Sequence, residues 1–274
     1  MSTTDRGARM TQLPAGRPVG RLSGNLVLRV LVCSATWAVA SSVLFTAILG
    51  LAPTPQVSQA LGSPWALVVA LVLGYVAIVQ SIGIHAHAKA IFGQAWVAGL
   101  LAGLTVTGGH AASAAWWLFA SFQTEPMPPF DLRHIASSPE IPRELGAVIG
   151  GVFAAWAIFT LCRLPGALHH ARSRQRTLER LRRDGTCYEG VLTQVTFSNL
   201  WVRDEPFFTV QVSYDAEGET RVVPARMRTC ADRVPVVGNR MVVLSDGHGS
   251  VSVELDTAAE TVFEADGRYR APEG

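Results

Sequence analysis

His110 is the one ionisable residue placed well inside an apolar segment of this chain. An ionisable group at such a depth is a candidate for a proton, metal or substrate role. His110 is also seven positions from Gly103, so it shares the face of small residues on which neighbouring helices would pack. A neutral imidazole hydrogen-bonded inside a helix bundle explains the residue without any chemistry, and we favour that interpretation.

A second pair of histidines, His85 and His87, follows an apolar run in the stretch IHAHAKA. Two ligands on one helix face need a spacing of three or four residues. A spacing of two turns the rings about 200° apart. The pair therefore indicates polar residues at a membrane interface, with a metal or haem site as the alternative.

Familiar catalytic signatures are missing from the sequence. It contains no phosphate-binding loop, H-E-x-x-H, G-x-S-x-G or C-x-x-C motif. We therefore predict no enzyme activity, no catalytic residue, no metal site and no cofactor.

Six arginines and no lysine occupy positions 169–184, which read HHARSRQRTLERLRRD. A basic helix directly beyond a membrane span suits anionic lipid headgroups. The predicted headgroup contacts are Arg172, Arg174, Arg176, Arg180, Arg182 and Arg183. Nucleic acid is an unlikely partner, because the placement of positive charge beside a span accounts for the same residues.

The elements that carry these residues follow from hydropathy. Lys89 is the only charged residue from Val30 to Thr124. About 20 apolar residues are needed to cross a bilayer. Four segments qualify, and we predict a membrane α-helical bundle of four transmembrane helices over residues 29–164, with spans at about 31–51, 65–84, 96–117 and 145–163.

The positive charges fix an expected orientation. Arginines precede the first span and follow the fourth, whereas the loop at 52–64 has no charge and the loop at 123–144 mixes two arginines with four acids. Positive residues stay on the cytoplasmic side. We predict a multi-pass protein of the bacterial cell (inner, plasma) membrane with N- and C-termini in the cytoplasm.

Small residues recur every four positions in the spans, which lets helix backbones approach closely. The stripes are Ser34, Ala38, Ser42, Thr46 and Gly50; Ala95, Gly99, Gly103, Thr107, Ala111 and Ala115; and Gly146, Gly150 and Ala154. They predict a compact bundle with a possible homo-oligomeric face, unless they reflect only the general abundance of such residues in membrane helices. Trp96 and Trp116 suit two interfacial belts, so the third span is expected to continue through Gly108–Gly109.

The flanking regions complete the domain plan. Residues 1–28 are predicted to be a disordered basic leader, and 165–185 a basic juxtamembrane helix that starts after a break at Pro165–Gly166. Residues 186–256 alternate apolar and polar positions over about five short strands with glycine-containing turns, which predicts a small all-β, barrel-like cytoplasmic domain. The tail 257–274 is expected to be loose. Trp201 is the best aromatic candidate for a partner contact, and a hydrophobic plug over the barrel end is the favoured alternative.

The segment RVPVVGNRMVVLSDGHGSVSVEL carries a family resemblance. With its turn glycine, Gly238, it resembles the closing part of the small β-barrels of NfeD-like and other multi-pass bacterial membrane proteins. A second group, a domain of unknown function, often has Tyr-Asp-Pro where this chain reads Ser245, Asp246 and Gly247. The resemblance covers about 70 residues, implies a barrel and supplies no active site.

These features predict an integral membrane protein that presents a cytoplasmic β-domain for interaction with a protein partner or for assembly of a membrane complex. One alternative is a small transporter or channel-like protein that uses His110 and the glycine-rich third span. The other is a membrane-embedded metal or haem enzyme. The free or paired state of Cys187 and Cys230 tests the orientation, since cytoplasmic cysteines stay reduced.

Overall fold

A computed structural model describes residues 3, 5, 7–11, 13, 16–49, 63–122, 143–202, 205–256 and 263–269. The predicted external loops at 52–64 and 123–144 lie almost entirely outside these residues. The chain divides into two compact units, Gly20–His169 and a second unit made of Met1–Val19 with His170–Gly274. The first is helical and the second contains the sheet.

Four long helices supply the candidate spans: α1 (Gly24–Leu49), α2 (Pro64–Phe92), α3 (Ala95–Phe122) and α4 (Arg143–Asp184). Each contains an apolar stretch long enough to cross a bilayer. α3 runs without interruption through Gly108–Gly109, as predicted.

Local sequence signals fix the ends of α2. The Ser63 side chain accepts a hydrogen bond from the Ala66 N–H at 3.2 Å, and Pro64 occupies the first helical turn. Gly93 ends the helix in the left-handed region at φ 68°, and its N–H donates a hydrogen bond to the Lys89 carbonyl oxygen. His85, His87 and Lys89 therefore belong to α2 itself, and only Gly93 and Gln94 connect it to α3.

Large apolar side chains point outward from the helices. Trp65 is 79% exposed, and the other exposed residues include Leu31, Leu71, Ile82, Phe119, Val152, Trp156 and Ile158. A water-soluble bundle would bury such residues, because contiguous exposed apolar surface is rare on soluble monomers. These helices are compatible with a multi-pass membrane protein.

Small residues bring the helices together, although on α3 they are not those of the predicted stripe. A Cβ added at Gly109 would lie 2.6 Å from the Ser34 carbonyl oxygen, and one at Gly150 would lie 2.6 Å from Ala114 Cβ. Ser42 and Ser113 are hydrogen-bonded at 2.8 Å. The α1 stripe is thus used as expected. On α3, a Cβ at Gly99 or Gly103 would meet no atom within 4 Å, and helix contacts fall instead on Gly109, Ser113 and Ala114.

The predicted break at Pro165–Gly166 is wrong. α4 continues through Pro165 to Asp184, so the fourth span and the basic helix are parts of one helix. A proline inside a helix removes one N–H donor and does not by itself end the helix, since neighbouring groups can compensate for the lost bond. Gly185 follows the helix, as expected, and its N–H is donated to the Leu181 carbonyl at 3.0 Å.

The second unit contains the predicted small β-domain. Its main strands are β1 (Thr186–Val202), β2 (Glu205–Ala216), β3 (Glu219–Arg228), β5 (Arg240–Ser245) and β6 (Val251–Leu255), and a short pair joins β4 (Val234–Pro235) to β7 (Phe263–Glu264). The five-stranded sheet is antiparallel, has the order β3-β2-β1-β5-β6 and curls into a half-barrel.

Two features allow the long strand β1 to pair with β2 on one side and with β5 on the other. Gly190 pairs with Tyr214 of β2 on one side and Met241 of β5 on the other. A Cβ at this position would lie 2.8 Å from Val212 and 2.9 Å from Val243, so glycine permits the close approach. Register shifts follow at 192–194 and 197–201, and such bulges bend and twist a strand.

The turn between β2 and β3 is one of the predicted glycine-containing turns. Glu217 and Gly218 both have positive φ, 58° and 84°, as the tightest hairpin turns require. The concave core is formed by alternate residues of the strands, with Leu192, Phe208, Val210, Val212, Val243 and Val253 fully buried.

Both ends of the chain contribute contacts to this unit. Tyr269 packs on Phe208, with ring centroids 4.9 Å apart, and β7 pairs with β4. Residues 263–269 therefore return to the sheet, unlike the loose tail expected. In the leader, Met10 and Leu13 are buried, and the Gln175 amide donates to the Arg17 carbonyl at 3.2 Å.

Candidate functional site

The structure places His110 in an aromatic environment on α3. Its Nδ1 lies 2.8 Å from the Val106 carbonyl oxygen, one turn earlier on the same helix. The imidazole stacks on Phe153 with ring centroids 4.6 Å apart, and Trp37 and Phe45 lie at 5.3 and 6.4 Å. These contacts favour a packing role in the bundle, the interpretation preferred from the sequence.

Replacing His110 distinguishes packing from chemistry. We expect His110→Phe to keep the thermal stability of the purified protein, because a phenyl ring preserves the stacking with Phe153. His110→Ala removes the ring and is expected to cost about 1–3 kcal/mol. Equal losses for both variants, measured by thermal unfolding in detergent, would show instead that the imidazole nitrogens are needed.

The other histidine pair does not converge. His85 is half-buried and His87 is exposed on the continuous helix α2, as their spacing of two predicts. Among the residues that the structure describes, no group of three or more histidine, cysteine or acidic side chains could hold a metal ion. The four cysteines, Cys33, Cys162, Cys187 and Cys230, are all free.

A polar cluster that was not predicted joins three helices around Ser81. Its hydroxyl donates to the Ala77 carbonyl at 2.8 Å and lies 3.1 Å from Thr105 Oγ1 of α3. From α1, the Trp37 indole N–H donates to Ser81 at 3.2 Å, and Cys33 lies 3.4 Å away. Polar side chains within three apolar spans, Trp37, Ser81 and Thr105, were the available signal. Such hydrogen bonds hold helices together where lipid gives no hydrophobic drive.

Among the described residues, the six arginines of the basic run divide into three that pair with acids outside α4 and three that do not. Arg174 Nε lies 3.0 Å from Asp5, Arg180 lies 3.2 Å from Asp246, and Arg182 lies 2.7 Å from Glu254. Arg174 and Arg182 are only 12% and 23% exposed as side chains. Because these three arginines pair with acidic side chains, fewer arginines of the basic run are left to contact lipid headgroups.

Arg172 and Arg176 belong to the second group. They are one turn apart on α4, with no acid in ion-pair contact among the described residues. Arg183 is exposed and pairs with its neighbour Asp184 at 2.9 Å. His169 lies on the same helix face as Arg172 and Arg176, while Ala171, Gln175 and Leu178 are buried on the opposite face.

Ion pairs attach the end of α4 to the sheet. The Arg182 Nε donates to Glu254 of β6 at 2.8 Å. Asp246, in the β5–β6 turn, accepts hydrogen bonds from the backbone N–H groups of His248 and Ser250, both at 2.9 Å. These bonds, with the nearby Arg180 guanidinium, hold the pKa of Asp246 below its ordinary value. Asp246 and Glu254, the acids that pair with α4, lie more than 60 residues after their arginines in the sequence. Their ion pairs with Arg180 and Arg182 were therefore not predictable from the basic run.

The contacts of Trp201 favour the alternative interpretation, in which it packs as a hydrophobic plug. It is half-buried, its indole N–H donates to the Tyr269 carbonyl at 2.9 Å, and its ring meets Phe197 edge-on at 4.7 Å. Together with Phe208 and Tyr269 these residues form an aromatic cluster at the edge of the core. The contacts favour a hydrophobic plug over a free partner-binding residue.

Comparisons of the chain with known protein families, curated proteins and solved structures give no match. The resemblance of the β-domain to NfeD-like barrels therefore stays a prediction.

Proposed function

We propose that this protein is an integral protein of a bacterial inner membrane, with cytoplasmic termini, that presents its β-domain to a protein partner. The four apolar helices support membrane insertion. The arginines before α1 and after the fourth span support the orientation. No arrangement of side chains in the described residues suggests catalysis, and the surface of the β-domain is the region that supports the proposed role.

One half of the outer sheet surface is covered. Leu244 and Ser252 alternate with the core residues of β5 and β6 and so belong to the outer surface, yet both are buried. Glu254, on the same side of β6, pairs with Arg182 of α4. The end of α4 therefore lies against the outer surface of β5 and β6.

The other half remains open, and this observation carries the proposal. Side chains of β1, β2 and β3 line up by register as Val191, Ser213 and Val222; Gln194, Gln211 and Pro224; and Thr196 and Thr209. We name these eight residues the uncharged face. Seven are exposed and Ser213 is half-buried.

The composition of the uncharged face suits protein contact. Depletion of charge is characteristic of the centre of protein interfaces. Charged residues lie at its margins: Arg226 is the β3 partner of Thr209, and Glu189 and Asp215 adjoin the paired residues Gly190 and Tyr214. Pro224 lies on the edge strand β3 and removes one N–H from the edge, which disfavours the addition of a further strand. We therefore expect the partner to bind the face rather than the edge.

Crosslinking from single positions tests this proposal in cells. Val222 on the uncharged face and Val237 in the turn before β5 are both 56% exposed, so they form a matched pair. A photoreactive amino acid at position 222 should yield one defined crosslinked protein, and the same group at position 237 should not. Val222→Glu should reduce co-purification of that protein at least about tenfold, the effect of 1.4 kcal/mol, with Val237→Glu unchanged.

The proposal fails if position 222 captures nothing, or if positions 222 and 237 capture the same proteins. Resistance of residues 186–256 to limited proteolysis serves as the folding control for each variant. Lipid headgroups are proposed as second partners of the basic run, through the half-buried Arg172 and the exposed Arg176. We also propose a homo-oligomer through a Gly/Ala face of the helices.

A further inference from the structure

A groove lies between the N-terminal part of α1 and the C-terminal half of α2. Its volume is about 350 Å³, within the range of small-molecule sites. It is lined by Leu28, Arg29, Val32, Gln80, Gly83 and Ile84. Leu28, Val32 and Gly83 are exposed, so the groove opens on the apolar outer surface of the helices.

Two polar groups interrupt this apolar lining. Arg29 is exposed and makes no ion pair with an acid in the described part of the chain. The Oε1 atom of Gln80 is buried and has no hydrogen-bond partner among the described residues. A buried polar atom without a partner costs free energy, which a bound ligand with a suitable donor would recover.

The lining selects the charge of the ligand. Arginine donates several N–H groups in a planar fork that matches a phosphate, and none of the six lining residues is acidic. A zwitterionic headgroup would bring an ammonium group with no carboxylate in the lining to receive it. The apolar walls suit an acyl chain.

We propose that this groove is a binding site for an anionic phospholipid. The phosphate pairs with Arg29, the hydroxyl and ester groups of the lipid hydrogen-bond with the Gln80 amide, and one acyl chain packs along Leu28, Val32 and Gly83. The site shares no residue with the basic run of α4 and does not depend on the proposed role of the β-domain.

Gly83 provides a way to fill the groove without disturbing the helices. A Cβ at Gly83 would meet no atom within 4 Å, and the same holds for Gly74 two and a half turns earlier on α2, outside the groove. Gly83→Leu should therefore occupy the acyl-chain space, and Gly74→Leu is its matched control. Arg29→Gln removes the phosphate contact, with Arg21→Gln as the control in the leader.

The experiment measures lipid binding to the purified full-length chain in detergent by native mass spectrometry. Phosphatidylglycerol and phosphatidylcholine with the same acyl chains are titrated separately. Every protein carries Arg172→Gln and Arg176→Gln, so that headgroup binding to α4 does not contribute. Thermal unfolding confirms that each variant is folded.

We expect one phosphatidylglycerol to bind about fivefold more tightly than phosphatidylcholine, the effect of about 1 kcal/mol from one arginine near the membrane surface. Arg29→Gln should abolish this preference and Gly83→Leu should remove the bound lipid, while Arg21→Gln and Gly74→Leu bind normally. Equal binding of the two lipids would overturn the proposal. So would a Gly83→Leu protein that binds like Gly74→Leu, or, should Gly83→Leu not fold, an Arg29→Gln protein that keeps the preference.

Discussion

Gly109→Ala is expected to destabilise the helical bundle by about 1–3 kcal/mol, whereas Gly103→Ala on the same helix stabilises it by about 0.5–1 kcal/mol. The change is chemically identical at both positions. At Gly109 the new Cβ lies 2.6 Å from the Ser34 carbonyl oxygen and also meets the Cβ of Trp37, so α1 and α3 must separate. At Gly103 it meets no atom within 4 Å, and only the conformational benefit of alanine in a helix remains.

Thermal unfolding of the two variants in the same detergent measures this difference. The opposite signs provide the control, since any general effect of alanine on a membrane helix applies to both positions. Stabilisation by both substitutions would mean that α1 and α3 do not approach each other at Gly109. Destabilisation by Gly103→Ala would indicate that this open position packs against a second copy of the chain.

Phe208→Ala is expected to unfold the β-domain or nearly so. The Phe208 ring is fully buried and contacts Phe197 and Tyr269, with centroids 5.6 and 4.9 Å away. Removal of a buried phenylalanine ring costs about 3–5 kcal/mol. A domain of this size has a free energy of unfolding of about 5–15 kcal/mol, so the loss is a large part of the total.

Limited proteolysis of the full-length protein, with mass spectrometry of the cleavage sites, detects this loss. Phe208→Ala should expose new cleavage sites between residues 186 and 256. Leu200→Ala is the matched control, because Leu200 is 49% exposed and its removal should change little. If Phe208→Ala resisted proteolysis as well as Leu200→Ala, the Phe208 ring would not be part of the core that stabilises the domain.

The helices were predictable because the membrane imposes a length and a composition on each of them. Four runs of about 20 apolar residues leave little choice of structure. The alternation of apolar and polar positions over residues 186–256 likewise predicted the short strands, and a glycine-containing turn at Glu217–Gly218 joins β2 to β3. In both cases a local pattern determines a local structure, and the order of strands along the chain then determines antiparallel neighbours.

Long-range packing was not predictable in the same way. Pro165 was expected to end the fourth span, but a single missing N–H does not outweigh the rest of a 42-residue helix. On α3 the helix contacts include Gly109, Ser113 and Ala114, which lie outside the predicted stripe, because Ala, Gly and Ser occur on every face of that helix. The partners of Arg174 and Arg182 are acids 169 and 72 residues away (174 − 5 and 254 − 182), and no local pattern connects them.

For His110 and Trp201, the sequence identified the residue but did not determine its role. Residue type and depth correctly marked both as unusual, yet their roles depend on neighbours that the sequence places elsewhere. For His110 these neighbours are Phe153 and Trp37, and for Trp201 the main one is the Tyr269 carbonyl. The groove lined by Arg29 and Gln80 was not predicted, because nothing in the sequence connects these two residues before α1 packs against α2.

The central claim is that the β-domain lies on the cytoplasmic side of a four-span membrane protein, and cysteine labelling tests it most directly. One variant keeps the exposed Cys187 and has Cys33, Cys162 and Cys230 replaced by serine. The other also carries Cys187→Ser and places its single cysteine in the first external loop through Ser58→Cys. A maleimide that cannot cross membranes should label Ser58→Cys in intact cells and should label Cys187 only after the cells are permeabilised. Labelling of Cys187 in intact cells would contradict the proposed orientation.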